Sequence, residues 1–201
     1  MTERRRCIAI DVDGVLADLA LGLSSLVRDL SVEPVEVCGS GGQAVYPSAL
    51  VDRAWDRVRE STTFWETLPL LVTEADRLAL CRLETVADCI YLTNRFAPTS
   101  ESARGQTERW VHRHGLPDFP VVLSRDFAGR KLEAVRAYGV TVVLEDSPEE
   151  LAALGRLNAA DDGEEVVYLF RRDWPYNRRE LGRAVSSVEE FCWAVLEGSL
   201  L

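Results

Sequence analysis

Cys7-Ile8-Ala9-Ile10-Asp11-Val12-Asp13-Gly14-Val15 is the stretch on which the reading of this chain turns. Its apolar half, Cys7 to Ile10, opens a β-like run read over Cys7 to Val12, and two carboxylates one residue apart lie at the strand's end. A strand sends alternate side chains to opposite faces, so Asp11 and Asp13 leave on the same side, and Gly14 lets the backbone turn sharply under a ligand. Such a pair suits a metal site whose nucleophile is a carboxylate. An ordinary strand-to-loop turn uses the same residue types, so the pair has to be read with the rest of the chain.

Working outward, further β-like runs occur at Cys89 to Thr93, Pro120 to Leu123, Thr141 to Glu145 and Val166 to Phe170. A helical pattern follows each run, and this alternation predicts an α/β fold, a Rossmann-like doubly wound parallel sheet. Ligands of such sheets bind beyond the carboxyl ends of the strands, so Asp11, Thr93, Ser124 and Glu145 are expected to meet in one crevice. Roughly 75 residues separate the first two strands, far more than a one-helix crossover needs. Ala17 to Leu30 and Ser48 to Glu60 read as helices, the second with Ser48 as N-cap, joined through the Gly-rich stretch Cys38 to Gly42. A third, Thr73 to Val86, capped by Thr73, returns the chain to the sheet. The expected organisation is a core domain over residues 1–18 and 73–201 and a small helical cap over 19–72; a disordered or purely structural insert is the alternative. Later helices are read at Thr99 to His114, Arg130 to Ala137, Pro148 to Leu157 and Val188 to Leu196, with a turn at Asp161-Asp162-Gly163.

At 201 residues, 47% hydrophobic and 28% charged, the chain can bury a full core. Its net charge of -10 argues against a nucleic-acid polymer as partner, since such binders cluster Lys and Arg. A small anionic substrate remains compatible, provided local cations or a metal overcome the global field. The basic Arg4-Arg5-Arg6 precedes an apolar run that Asp11 cuts far too early for a signal or membrane segment, so a cytoplasmic protein without membrane partners is expected. The sequence is compatible with a homodimer. Five cysteines (Cys7, Cys38, Cys81, Cys89, Cys192) lack metal-ligand spacing and read as reduced core thiols. His112 and His114 lack ligand partners and read as surface residues. No dinucleotide fingerprint, P-loop or Gly-x-Ser-x-Gly elbow around Ser147 is present, which argues against a nicotinamide enzyme, an NTPase or a serine nucleophile.

A phosphoryl group best accounts for the strand-end residues together. Asp11 could attack phosphorus and form an aspartyl-phosphate, while Asp13 protonates the leaving oxygen and then deprotonates water. A Mg²⁺ ion on carboxylate oxygens would neutralise charge that otherwise keeps an anionic nucleophile from an anionic phosphate.

These residues resemble the motifs of the haloacid dehalogenase (HAD) superfamily. Asp11-Val12-Asp13-Gly14-Val15 resembles its motif I, Leu92-Thr93-Asn94 motif II, Lys131 the lysine of motif III, and Glu145-Asp146 the acidic motif IV. The resemblance implies Asp11 as nucleophile and Asp13 as general acid and base. It further implies Thr93, Asn94 and Lys131 on the phosphate, Mg²⁺ held by Asp11, Asp146 and Asp13 through its carbonyl, and Glu145 as an auxiliary acid. A narrower similarity links Asp11 to Asp18, Phe64-Trp65-Glu66-Thr67-Leu68-Pro69, Glu108-Arg109-Trp110-Val111, Ser124-Arg125-Asp126 and the Trp193 region to the cytosolic type C 5'-nucleotidases, the 5'(3')-deoxyribonucleotidase family. It implies a Mg²⁺-dependent phosphatase with a helical cap, acting on (deoxy)ribonucleoside monophosphates.

The chain also departs from that pattern. Leu19 stands where those nucleotidases carry an aromatic residue, which removes one base-stacking face and leaves base preference open. Motif II continues into Arg95, which either adds a cation near the phosphate or lies on the surface. Glu145 replaces the usual first Asp, and a longer approach to Lys131 makes Arg130 a competing cation. Asp18 belongs to the family's pattern and equally serves as a helix N-cap. Trp55, Phe64 and Trp65 offer flat faces in the cap that could stack on a base, and Phe64 and Trp65, with Leu19 and Arg95, are the candidate substrate contacts, although aromatics also build cores. Asp173-Trp174-Pro175-Tyr176-Asn177-Arg178 resembles a Pro-Tyr-Asn segment of bacterial relatives and reads either as a border of the crevice or as a plain turn. The leading expectation is a 5'-nucleotidase. The alternatives are a HAD phosphatase of sugar phosphates or other small metabolites, and a non-catalytic nucleotide or phosphate binder.

Overall fold

A computed structural model describes residues 5–31, 46–97, 100–160 and 167–200. The strands are β1 (Cys7–Ile10), β2 (Asp88–Thr93), β3 (Val121–Leu123), β4 (Val140–Glu145), β5 (Tyr168–Arg172) and β6 (Arg183–Val185). They form one parallel sheet in the order β3-β2-β1-β4-β5-β6. Strand order reverses direction between β1 and β4, and at such a switch point the loops beyond the strands diverge and leave a crevice. Asp11 and Glu145 end the two strands that flank it.

Seven helices are described: α1 (Leu19–Leu30), α2 (Ser48–Glu60), α3 (Glu74–Glu84), α4 (Ser100–Arg113), α5 (Lys131–Tyr138), α6 (Pro148–Ala160) and α7 (Val188–Leu196). The period of two along each strand divides the core. Ile8 and Ile10 of β1, Tyr91 of β2 and Leu144 of β4 pack with Leu80 and Leu83 of α3, Trp110 of α4 and Phe191 of α7. Ala9, Ile90, Leu92 and Val143 face the other way, onto Ala134 and Val135 of α5 and Leu154 of α6. Helices thus cover both faces, which is why the central strands are apolar throughout.

Local chemistry sets the element ends. The carboxylate of Asp18 caps α1 by accepting the Leu21 N–H at 2.9 Å, so the helix starts at Leu19 instead of Ala17. Thr73 and Asp76 form a reciprocal capping box on α3. For α2 the expected Ser48 cap is incorrect: Ser48 lies inside the helix, and the Pro47 carbonyl accepts the Leu50 N–H at 2.9 Å. The strand β6 carries no alternating apolar signal and was not expected; it adds to the sheet through β5. Cys89 and Cys192 are buried, as expected of core thiols, and Cys7 partly so, but Cys81 is exposed. His112 is exposed; His114 is half-buried against Trp110. The Cys38 to Gly42 loop, the turn at 161–163 and Val166 lie outside the described residues. No helix among the described residues is long and apolar enough to cross a membrane.

Candidate active site

The end of β1 places Asp11 beside the end of β4, the Asp11 N–H donating to the Leu144 carbonyl at 2.9 Å. Gly14 follows with φ +85°, a left-handed conformation that L side chains rarely adopt, and a Cβ there would lie 2.0 Å from Asp146 Oδ2. Glycine is required at this position by both backbone and space. Asp11, Glu145 and Asp146 are buried and bring one carboxylate oxygen each to within 4.8 Å of one another. From the first turn of α5, Lys131 donates to Asp11 Oδ1 at 2.6 Å and to Glu145 Oε2 at 2.7 Å. The other oxygen of Glu145 accepts the N–H groups of Asp146 at 3.0 Å and Ser147 at 2.9 Å. Glu145 is thereby fixed as a brace for Lys131 and for the turn after β4.

Burial and the proximity of Glu145 raise the Asp11 carboxyl well above the ordinary carboxylate range, with Lys131 opposing. Burial and Glu145 likewise push Asp146 up to about 7, against hydrogen bonds from Tyr176 and Asp11. Burial alone would depress the Lys131 ammonium, but Asp11 and Glu145 outweigh it and hold it charged. Once ionised, the four carboxylates (Asp11, Asp13, Glu145, Asp146) outnumber the two cations (Lys131, Arg95) of this neighbourhood by two negative charges. That excess, on hard oxygen donors, fits one divalent cation such as Mg²⁺.

Asp13 turns away from this trio. Its carboxylate receives Arg95 Nη2 at 2.8 Å and Nε at 3.0 Å, and the Thr93 hydroxyl at 3.3 Å. The surface reading of Arg95 is wrong. Arg95 is 1% exposed, between the rings of Trp65 and Trp110, and donates to Thr107 Oγ1 at 3.2 Å. The apolar sandwich and the ion pair explain why a charged side chain can be buried there. Arg130 is exposed at the N-cap of α5, so of these two neighbours Lys131 is the one that pairs with Asp11 and Glu145.

A cavity of about 260 Å³ opens at the cluster, its wall including the charged side chains of Asp11, Asp13, Arg95, Lys131, Glu145 and Asp146. Leu19, Trp55, Trp65 and Phe96 give it apolar surface, and Asn94 and Ser147 complete the lining. Leu19, Trp65 and Arg95, three of the residues read as candidate contacts, line this cavity. Phe64 does not line the cavity: it is buried edge-on to Trp65 at 5.0 Å. Ser124 is buried at the start of a 3₁₀ turn and does not line it either. Asn94 is exposed at its rim and donates to Glu150 at 2.8 Å. Trp55, read from the sequence as a cap aromatic able to stack on a ligand, lines the cavity. Phe96 was missed; a residue after a strand carries no sequence signal for a shared wall.

No protein-family model matches the chain, and a search of curated protein sequences gives no match. Solved structures do match along nearly the whole length. A HAD family hydrolase from Deinococcus radiodurans R1, with bound phosphate and sodium, aligns with a TM-score of 0.61 at 18% identity, over 98% of this chain and 97% of that one. A haloacid dehalogenase-like hydrolase from Streptococcus pneumoniae gives 0.60 at 13%, over 97% and 98%. CbbY from Rhodobacter sphaeroides, in complex with xylulose-(1,5)bisphosphate, gives 0.51 at 19%, over 93% and 96%. These likenesses extend to the superfamily-wide fold and lend nothing to the narrower type C nucleotidase resemblance. With its parallel Rossmann-like sheet and its acidic cluster at the switch point, the chain has the haloacid dehalogenase-like fold.

Proposed function

We propose that this protein is a Mg²⁺-dependent phosphomonoester hydrolase working through an aspartyl-phosphate on Asp11, with a small phosphorylated metabolite of the sugar-phosphate class as substrate. The observation that carries this reading is the buried set Asp11, Lys131, Glu145 and Asp146 opening on a cavity at the switch point of the sheet. Asp11 and Asp146, with the Asp13 carbonyl, are the groups that would hold Mg²⁺, which when bound neutralises charge between nucleophile and phosphate. The Asp11 carboxylate attacks phosphorus, the bond to the ester oxygen breaks, and Asp13 gives that oxygen its proton. Water then attacks the same phosphorus, Asp13 takes its proton, and the bond to Asp11 breaks. Lys131 balances charge on Asp11 and a phosphate oxygen while Glu145 holds the ammonium in place. Thr93 and Asn94 stand at the end of β2 as phosphate-side donors, and α1 and α2 act as the cap, supplying Leu19 and Trp55 to the cavity wall.

Two observations support the sugar-phosphate class. One structural neighbour, CbbY, was solved in complex with a sugar bisphosphate. The cavity, about 260 Å³, falls below the 300–1,000 Å³ or so of sites that enclose larger ligands. A nucleoside monophosphate is the second reading, favoured by the flat faces of Trp55, Trp65 and Phe96, since stacking on an aromatic contributes about 1–3 kcal/mol per base. Phosphate release from a panel of sugar phosphates and nucleoside monophosphates, with and without Mg²⁺, tests the assignment. Mg²⁺-dependent release is expected, higher kcat/KM on sugar phosphates, and none from Asp11→Asn. Binding of these compounds without turnover would instead mark a non-catalytic binder.

A further inference from the structure

We propose that Tyr176 is a positioning residue for a metal-binding carboxylate: its hydroxyl, carried on the loop after β5, pins Asp146 in place within the acidic cluster. This rests on the metal reading given above and adds to it a segment that contributes no carboxylate to the cluster.

The loop, residues 173–178, is itself held at several points. The Asp173 N–H donates to the Val185 carbonyl of β6 at 3.0 Å, and Trp174 Nε1 donates to the Gly14 carbonyl at 2.6 Å. Asn177 is wholly buried and has all its hydrogen-bonding capacity in use. Its Nδ2 donates to the carbonyls of Asp146 at 2.7 Å and Arg172 at 2.9 Å. Its Oδ1 accepts the Trp174 N–H at 3.0 Å and Arg171 Nη1 at 3.1 Å. One loop therefore ties together the turn after β1 and the turn after β4, and so fixes where Tyr176 stands.

From that position the Tyr176 hydroxyl donates to Asp146 Oδ2. Behind the same oxygen lies the Gly14 backbone, too close to admit a methyl group. A carboxylate turns broadly about χ2 unless something holds it. Here the Tyr176 hydroxyl and the close-lying Gly14 backbone together confine Oδ2. Packing does not account for the hydroxyl, because the Tyr176 residue is 48% exposed. Groups that orient a metal ligand in this way typically change affinity about 10–100-fold when removed.

Wild-type and Tyr176→Phe proteins, titrated with Mn²⁺ alone and no substrate, give the affinity from the free ion by EPR; melting of each metal-free protein is followed in parallel. Tyr176→Phe is expected to bind Mn²⁺ about 10–100-fold more weakly, with the metal-free melting temperature unchanged. Equal affinity in the two proteins overturns the positioning role alone, as does a lowered melting temperature at unchanged affinity, the behaviour of a merely structural strut. A wild-type protein that takes up no Mn²⁺ overturns the metal reading itself, and the positioning role with it.

Discussion

Asp146 is a carboxylate placed among carboxylates. Burial and Glu145 lift its carboxyl to about 7, far above the 3.8 usual for Asp, and Asp11 is raised in the same direction. The folded, metal-free protein therefore binds more protons than the unfolded chain between about pH 4 and pH 7, and its stability is expected to fall as pH rises through that window. Above it the contribution of Asp146 levels off. Thermal melts in chelator from about pH 5 to pH 8 check this, and Asp146→Asn should show a shallower slope than wild type. The acidic pair and its motif partners were legible in the sequence because strand ends and spacing mark them. The partner of each was not. Nothing in the order of residues shows that Arg95 would close on Asp13 through an aromatic sandwich, or that Lys131 would turn inward while Arg130 faces solvent.

At the level of elements, short polar motifs set where several helices begin. The capping box of α3 shows this most fully. Asp76 Oδ2 accepts from the Thr73 N–H and hydroxyl, both at 2.8 Å, while Oδ1 accepts the Glu189 N–H of α7 at 2.6 Å. One buried carboxylate thus starts α3 and ties it to α7. Asp76→Ala is expected to destabilise the fold by about 2–3 kcal/mol, more than the roughly 1 kcal/mol of Thr73→Ala, because it also strands buried donors. Denaturant midpoints of the two variants make the comparison. Periodicity located every helix described here within a few residues and five of the six strands. Strand β6 escaped it because Arg183 and Ala184 are exposed and only Val185 is buried, so three residues carry no pattern. The Ser48 cap misled for a related reason, since a favoured residue type caps only if the backbone turns there, and it turns at Pro47.

Across the whole molecule, sheet order converts scattered motifs into one centre. Residues 11, 131, 145 and 146 meet because β1 and β4 are neighbours at the switch point and α5 begins beside them. That adjacency follows from the doubly wound topology, which the alternation of strands and helices had implied. The cavity wall formed by Leu19, Trp55, Trp65 and Phe96 depends instead on how the helical insert settles, and its volume is a property of packing that sequence spacing does not encode. The central claim is that Asp11 becomes covalently phosphorylated. Acid-quenching the protein during turnover of radiolabelled p-nitrophenyl phosphate with Mg²⁺, followed by peptide mapping, tests it directly. Label and the mass of one phosphoryl group are expected on the peptide containing Asp11, and neither in Asp11→Asn; steady phosphate release with no labelled peptide, or undiminished turnover by Asp11→Asn, would contradict it.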